Sequence, residues 1–478
     1  MQNDIKRRTF ISTFSLFFQS GYAAALGLIA NLIITIILSP AVFGIYFTVL
    51  SIISFLNYFS DIGLAASLIQ KKQVVPDDEM TTFTVQQALT GFLVFLGILG
   101  TGFIMNFYKL PADGKYLYWS LLIGFFISSM KTIPSVRLER EIKFQKLVYV
   151  QVVESTVFYI TISTLALMGF GLTSFTVAVL LRAVVGLIMI YSISFWRPRI
   201  GISVPHLKEL ANFGLPFQAS SFLALFKDDL IILYLGKVIG FEALGYIGWA
   251  KKWADAPLRI IMDNVSRVLF PLIATFQSDK KRLQEVSDKI LSYQTTLLAP
   301  AIVGMAITVS VFVHVIPKYA KWEPALPIFY ILCLSSLILS LSAPFMNLFN
   351  AIGKVKLTFT FMLVITVLNW IATPMLTTMY GNYGFPIAHL LISLTLGLIL
   401  IKAEKLLGTH VVASVYKPLL GSIGMGVILL IVRSVLEPSY LTIAVLCATG
   451  AVSYYGIMKY MFSTDVISQL LALYQKKT

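Results

Sequence analysis

The chain has 478 residues, of which 58% are hydrophobic and only 12% are charged. Soluble globular proteins carry about 25% charged residues, so this composition excludes an ordinary soluble domain and indicates a polytopic membrane protein. The formal net charge is +15, but the basic residues gather in alternate loops and tails, which is the positive-inside pattern of membrane proteins. We therefore expect no nucleic-acid partner, and we expect both termini on the cytoplasmic side.

Apolar stretches long enough to cross a hydrocarbon core of about 30 Å follow one another along almost the whole chain. They predict an all-α integral membrane protein with about fourteen transmembrane helices, among them 42–68, 212–236 and 242–273. The predicted external loops, such as "FGLTS" and "EPS", are too short to hold an external catalytic domain. The two cysteines, Cys333 and Cys447, fall within predicted spans, so neither a disulfide framework nor a metal site is expected.

An internal repeat is visible in the sequence. "FQSGYAAAL" at 18–26 resembles "FQASSFLAL" at 217–225, and Gly44 and Gly245, which lie 201 residues apart, occupy matching places at the start of the next helix. Copies with an even number of helices are parallel repeats, related by an axis along the membrane normal. We therefore predict two six-helix lobes around a central cavity, at 1–210 and 211–408, followed by an appended helix pair and a cytoplasmic tail at 409–478.

Isolated charges occur in or near several predicted spans of the first lobe. Asp61 closes the second span in "FSDIGLAASLIQKK", and Lys131, Glu154 and Arg182 follow further along the chain. A lone charge in a helical bundle is as often a structural clamp as a ligand, so both interpretations stay open for these residues. Among them we take Arg182 as a candidate for substrate binding and Asp61 for a charge network.

The span at 212–236 contains three adjacent charges. In "FLALFKDDLIILYLG", the residues Lys227, Asp228 and Asp229 interrupt an apolar run. A single charge at the centre of a bilayer costs about 2.5–3.5 kcal/mol on insertion scales, so we expect these side chains to face a cavity or a charged partner. One hypothesis is that Lys227 pairs with one carboxylate while the other exchanges a proton or Na⁺.

The next predicted span, 242–273, carries charges of alternating sign at every fourth residue. Residues four apart share a helix face, so the ladder forms a polar stripe along this helix. The stripe either neutralises itself through pairs within the helix or lines a water-filled cavity with a net positive charge, and we favour the cavity. Pro257 is expected to bend the helix or to free a carbonyl. The charged residues are Lys251, Lys252, Asp255, Arg259, Asp263 and Arg267.

Several motifs that would indicate an enzyme do not occur in the sequence. There is no G-x-x-x-x-G-K-[ST] phosphate loop, no H-E-x-x-H and no G-x-S-x-G. We therefore expect a transporter that is not an enzyme, with no cofactor, driven by an ion gradient, the membrane potential or the substrate gradient. Coupling to H⁺ or Na⁺ is left open.

Three stretches carry a resemblance to a known family. "DDLIILYLG…FEALGYIGWAKKW…P…NVSRVLFPLI", "SDIGLAASLIQKK" and "IPSVRLEREIKFQKL" resemble the Wzx-type bacterial polysaccharide flippases, in the branch that exports colanic and teichuronic acid repeat units. That family lies in the multidrug/oligosaccharidyl-lipid/polysaccharide (MOP) superfamily, together with lipid II flippases and multidrug extruders. This sequence departs from the family pattern at Asp228 and Asp229, where relatives carry one acidic residue, so the family role is not assigned to either.

The resemblance implies alternating access in the bacterial inner membrane. The substrate would be an undecaprenyl-pyrophosphate-linked oligosaccharide, moved to the outer leaflet for surface polysaccharide biosynthesis, with membrane lipids and the polymerase and glycosyltransferases of the same pathway as further partners. The cations Lys251, Lys252, Arg259 and Arg267 would hold the pyrophosphate. The aromatic residues Tyr246, Trp249 and Trp253 could stack on sugar faces, although anchoring at the membrane interface is the commoner use of Trp and Tyr. A drug or cation extruder, a lipid II-type flippase and a membrane polysaccharide polymerase remain as alternatives.

Overall fold

The computed structural model describes residues 19, 21–23, 25–259, 261–262 and 280–465. In this part of the chain every regular element is helical, which confirms the prediction of an all-α protein. Nine helices there are long and apolar enough to cross a membrane, or ten if the pair Ala112–Ser129 and Thr132–Arg140, bent by 44°, is one span. The protein is therefore a multi-span membrane protein, but the predicted count of about fourteen spans is not confirmed.

Two compact units divide the chain, and the first covers Met1–Gly245. Its helices follow one another with short connections, and α10 is the longest of those described. They are α1 (25–37), α2 (Pro40–Asn57), α3 (Leu64–Gln70), α4 (Pro76–Leu99), α5 (Thr101–Tyr108), α6 (Ala112–Ser129), α7 (Thr132–Arg140), α8 (Phe144–Leu167), α9 (Thr173–Ile193) and α10 (Val204–Val238).

The second compact unit covers Tyr246–Thr478, and the division between the units falls inside helix α11. Helices α12 and α17 pack along each other, and α13 packs on α12 and α15. The helices are α11 (Phe241–Ala254), α12 (Lys280–Val315), α13 (Leu326–Ala351), α14 (Val355–Tyr380), α15 (Gly384–Thr395), α16 (Gly397–Leu407), α17 (Val411–Val435) and α18 (Tyr440–Gly456).

Two predicted spans are interrupted. The span 42–68 is broken between α2 and α3, where Ile62 (φ 44°) and Gly63 (φ 81°) adopt left-handed backbone conformations. A β-branched residue such as isoleucine is rarely found there, so the break at Ile62 is strained. The span 242–273 is broken at the turn residue Asp255, two residues before Pro257, because proline cannot donate to the carbonyl four residues earlier.

Helix α10 lies close to α2 and α3 within the first unit. A Cβ atom placed on Gly63 would lie 2.1 Å from the carbonyl oxygen of Gly214, so only glycine allows this backbone approach. The hydroxyl of Ser67 donates to the carbonyl of Leu210 at 2.6 Å and fixes the same contact. Apolar side chains of α3, α4, α7 and α10 form a buried cluster beside it: Leu64, Leu68, Phe83, Ile133, Val136 and Leu210, together with Trp196.

The first turns of α2 and α11 make a reciprocal contact. A Cβ on Gly44 would lie 1.8 Å from the carbonyl oxygen of Phe241, and a Cβ on Gly245 would lie 2.0 Å from that of Pro40. Because each glycine lacks a side chain, it leaves space for the carbonyl group of the first residue of the other helix. The two glycines are the pair that the sequence repeat matches.

A polar network joins the ends of α3, α4 and α10. Lys71 lies 2.9 Å from Asp78 and 2.8 Å from Glu209, and His206 Nδ1 lies 2.7 Å from the same carboxylate of Asp78. Burial alone would lower the pKa of Lys71, but the hydrogen bonds to Glu209 and Asp78 outweigh it, so its pKa is raised. This network holds the three helix ends together beside the apolar cluster.

Candidate functional site

A polar cavity of about 330 Å³ lies in the first unit, beside the break between α2 and α3. Among the described residues that line it, Asp61 is the one with a charged side chain, and nearly all the others are uncharged and polar. The position of Asp61 follows from the break, where its carboxylate accepts a hydrogen bond from the amide of Ala65 at 3.1 Å and so satisfies one of the free amides at the start of α3. The uncharged polar residues of the lining are Asn57, Tyr58, Ser60, Gln86, Thr132 and Gln218.

Helix α10 contributes one wall of this cavity. Gln218 lies one turn beyond the glycine contact, and its Nε2 donates to the carbonyl of Tyr58 at 2.7 Å. That carbonyl belongs to the break after α2, where no helical partner is available to it. The close approach of α10 at Gly214 thus places an amide side chain in the cavity.

Gln86 of α4 faces the cavity and is only 5% exposed. Its Oε1 atom is buried and has no hydrogen-bond partner among the described residues. An unpaired buried acceptor costs about 1–3 kcal/mol of folding free energy. Natural proteins therefore retain few such groups, and most of these have a water molecule, an ion or a ligand as partner. Gln86 therefore places a buried amide, whose carbonyl oxygen is unpaired among the described residues, at the wall of the cavity.

Arg182 lies in an ion cluster between α8 and α9. Glu154 is nearly buried and accepts a hydrogen bond from Lys131 at 2.7 Å, while Arg182 Nε lies 3.8 Å from its other oxygen. Gly186 leaves room for this carboxylate, because a Cβ there would lie 1.9 Å from Glu154 Oε1. The Arg182 side chain is 51% exposed near the middle of a candidate span, with its guanidinium 5.8 Å from the ring of Phe158.

The three charges of α10 are partly paired. Lys227 Nζ lies 2.8 Å from Asp228 Oδ1, and the side chain of Asp228 is 63% exposed. Asp229 is less exposed than Asp228. Two adjacent carboxylates on this helix therefore differ in exposure to their surroundings.

The charges of α11 begin a network in the second unit. Lys251 pairs with Asp255 at 3.2 Å, and Ser336 of α13 donates to the other oxygen of Asp255 at 2.9 Å. The next residue, Ser335, lies 2.5 Å from His389 Nδ1 on α15. The ladder thus connects to α13, where the neighbouring serine bonds to α15.

The remaining cations of the ladder differ in exposure. Lys252 is partly buried and Arg259 is exposed. Asp263 and Arg267 lie outside the described residues. Trp249 is only 3% exposed, stacks on Trp322 and donates to the hydroxyl of Tyr319 at 3.0 Å. The expectation that Trp249 could stack on a sugar is therefore wrong, because its ring belongs to an aromatic core.

The chain that carries these sites matches a known protein family. The model of a family described as "Polysaccharide biosynthesis protein" matches residues 33–327. The chain belongs to this polysaccharide biosynthesis family. The match extends from α1 into α13 and includes Asp61, Arg182, Lys227 and Lys251, which lie in the sites described above.

Individual relatives agree with the family assignment. The lipopolysaccharide biosynthesis protein WzxC of Escherichia coli (strain K12) is 24% identical over 399 residues, covering 83% of this chain and 78% of the relative. The succinoglycan biosynthesis transport protein ExoT of Rhizobium meliloti (strain 1021) is 23% identical and covers 69% of this chain and 66% of its own length. These matches confirm the resemblance to Wzx-type proteins.

The fold of this family member is also found among solved structures. The inward closed conformation of the lipid II flippase MurJ superimposes with a TM-score of 0.76 at 15% identity, covering 95% of this chain and 99% of the flippase. At that identity the likeness shows a shared fold.

Sequence reasoning missed most of the cavity in this polysaccharide biosynthesis protein. It singled out charges, and the residues around Asp61 are uncharged polar side chains on apolar helices. A signal was present, because Gln86 and Gln87 interrupt "FTVQQALTGF", and amide side chains are costly inside a membrane without a partner.

Proposed function

We propose that this protein moves undecaprenyl-diphosphate-linked oligosaccharide repeat units from the cytoplasmic to the outer leaflet of the bacterial inner membrane. The product would feed biosynthesis of a capsule, exopolysaccharide or O-antigen. A polymerase and glycosyltransferases of the same pathway would act beside it. Alternating access between the two leaflets is the mechanism that such a function requires.

The observation that carries this proposal is a half-exposed arginine inside a membrane helix of a polysaccharide biosynthesis protein. Arg182 lies in the candidate span α9 and is 51% exposed. A cation at this depth is unfavourable against lipid, so it belongs in a water-filled cavity, where a diphosphate is its natural partner. The Glu154 carboxylate that it shares with Lys131 leaves the cluster with one net positive charge.

Lys251, Lys252, Arg259 and Arg267 are proposed as further cations for the diphosphate. Lys251 is paired with Asp255, so it would release that carboxylate when it binds an anion. We also propose that Asp229 couples transport to H⁺ or Na⁺, because Lys227 already pairs with Asp228. The carboxylates Asp61, Asp255 and Asp263 complete the proposed charge network.

Transport in proteoliposomes tests the proposal. A polyprenyl-diphosphate oligosaccharide with a fluorescent sugar label is reconstituted with the protein, and dithionite added outside reports the fraction that has moved. Arg182→Gln should slow transport about tenfold or more, because a hydrogen bond to a charged group contributes about 1.5–3 kcal/mol. Arg433→Gln, at the end of the candidate span α17, is the matched control and should transport normally.

Three outcomes would count against the proposal. Wild-type protein that leaves the labelled lipid on one side would exclude a flippase, and transport of a cationic dye instead would indicate an extruder. Chain extension of the oligosaccharide would indicate a polymerase. Asp229→Asn should abolish the dependence of transport on an imposed ion gradient, whereas Asp228→Asn should retain it.

A further inference from the structure

We propose that the cavity beside the α2–α3 break binds one uncharged sugar ring of the transported oligosaccharide. This inference rests on the proposed function and assigns it a sugar site separate from the diphosphate site. The cavity measures about 330 Å³ and is lined by residues of α2, α3, α4, α7 and α10 together with the chain between α2 and α3.

The size of the cavity favours a sugar over a single ion as its ligand. A dehydrated cation is smaller than one water molecule, whose share of liquid volume is ~30 Å³, so the cavity is more than tenfold too large for it. Small-molecule pockets measure about 300–1,000 Å³, and this cavity lies at the lower end of that range. One pyranose ring with its hydroxyl groups matches this volume.

The lining chemistry matches hydroxyl groups. A sugar hydroxyl both donates and accepts, so its site needs acceptors and donors close together. Gln86 Oε1 is a buried acceptor with no partner among the described residues, and the Asp61 carboxylate uses one oxygen to accept from Ala65. The amides of Asn57 and Gln86 supply donors, and Thr132, whose hydroxyl donates to the carbonyl of Ser129 at 2.9 Å, keeps its lone pairs for a ligand.

The charge of the lining selects against acidic sugars. In the part of the chain that the structure describes, Asp61 is the one charged residue that lines the cavity. A uronic acid would bring a second carboxylate close to it without a cation between them, and like charges at this distance repel in a low dielectric. The site therefore favours an uncharged hexose, deoxyhexose or N-acetylhexosamine.

Structural support for the site comes from the elements that build it. The amide of Gln218 holds the carbonyl of Tyr58 at 2.7 Å, and the Gly63–Gly214 contact fixes α10 against the break. The left-handed backbone at Ile62 is a strained conformation of the kind found at ligand sites. These contacts pre-form the walls before a sugar binds, which reduces the entropic cost of binding.

Saturation-transfer difference NMR tests the site directly. The full-length protein is placed in lipid nanodiscs, because glucoside and maltoside detergents would compete for the cavity. The probes are methyl glycosides of glucose, galactose, fucose and N-acetylglucosamine, with methyl glucuronide as the acidic member. At least one neutral glycoside should give ring-proton signals, and methyl glucuronide should give none.

Variants connect the signal to the cavity. Gln86→Leu and Asp61→Asn should each weaken binding about tenfold, in line with the loss of one buried hydrogen bond. Gln87→Leu is the matched control, because the neighbouring amide bonds to Ser129 and does not line the cavity. Thr132→Val is a second lining variant, and thermal melting verifies that each protein is folded.

Four results would overturn the inference. They are the absence of signal from every neutral glycoside, equal signals from methyl glucuronide, unchanged binding in folded Gln86→Leu and Thr132→Val, and ²²Na⁺ binding that Asp61→Asn abolishes. Retention of sugar-free undecaprenyl diphosphate in the same nanodiscs tests the proposed function separately. If the glycosides bind and undecaprenyl diphosphate does not, the proposed sugar site stands and the proposed lipid-linked substrate is wrong.

Discussion

Individual buried charges in this protein are held by specific partners rather than left in the bilayer. Glu154 contacts Lys131 and Arg182 and uses the space that Gly186 leaves open. Because both ions of the Lys131–Glu154 pair are largely buried, removing one leaves the other desolvated without compensation. Lys131 and Glu154 therefore stabilise the fold, and Glu154 also orients Arg182, which is proposed to bind the diphosphate.

Replacement of Glu154 by leucine should destabilise the protein by about 3 kcal/mol, because Lys131 would remain buried and unpaired. The double variant Lys131→Met/Glu154→Leu should recover most of this loss. The free energy of unfolding in mixed micelles, measured by SDS titration, checks both expectations. For comparison, the exposed pair Lys227–Asp228 should contribute at most about 1 kcal/mol when Asp228 is changed to Asn. Additive losses in the double variant would contradict the expectation.

At the scale of helices, glycines determine how closely neighbours approach. The contacts of Gly44 with Phe241, Gly63 with Gly214 and Gly245 with Pro40 all bring a Cα against a backbone carbonyl. A carbonyl cannot rotate away as a side chain can, so an added methyl group must separate the helices.

Gly44→Ala should destabilise the protein by about 1–3 kcal/mol, since its Cβ would lie 1.8 Å from the Phe241 oxygen. Gly102→Ala is the matched control, because a Cβ at this helical position meets nothing within 4 Å. Alanine is the better helix former, so the control should be neutral or slightly stabilising. Thermal unfolding midpoints of the two variants in nanodiscs measure the difference. Equal midpoints would show that the α2–α11 contact does not constrain the fold.

At the scale of the whole molecule, apolar runs specify most helices, and charge placement predicts their orientation. We expect the basic loops, such as the one at Lys354, to face the cytoplasm. Helix α14 follows this loop and has 26 residues, which spans about 39 Å and is enough to cross a bilayer. Asn382, just after α14, should therefore face the opposite side.

Single-cysteine labelling checks this orientation. After Cys333→Ala and Cys447→Ser, the variant Asn382→Cys should react with a membrane-impermeant maleimide in intact spheroplasts. Lys354→Cys should react only after permeabilisation. Both positions are exposed, so lack of reaction cannot come from burial. The reverse pattern would contradict the predicted orientation.

The sequence predicted the helical fold and the charged candidates but not the cavity. Hydropathy identified α2 and α3 as one span, because the break is short and apolar residues flank it, although it contains the turn-favouring residues Ser60, Asp61 and Gly63. Gln86 and Gln218 carry no charge, so a search for membrane charges passed over them. Their importance depends on which helices meet at Gly63 and Gly214, and that contact is set by tertiary packing.

The reciprocal seating of Gly44 and Gly245 has an evolutionary consequence. If a gene encoding one repeat had been duplicated and fused, its ancestor would have been a homodimer, and a single glycine would have made this isologous contact twice. Any substitution of that glycine would have changed both contacts of the homodimer at once. In the fused chain the carbonyl partners already differ, proline at 40 and phenylalanine at 241. Each half of the contact can now change without the other, so the chain can become asymmetric one side at a time.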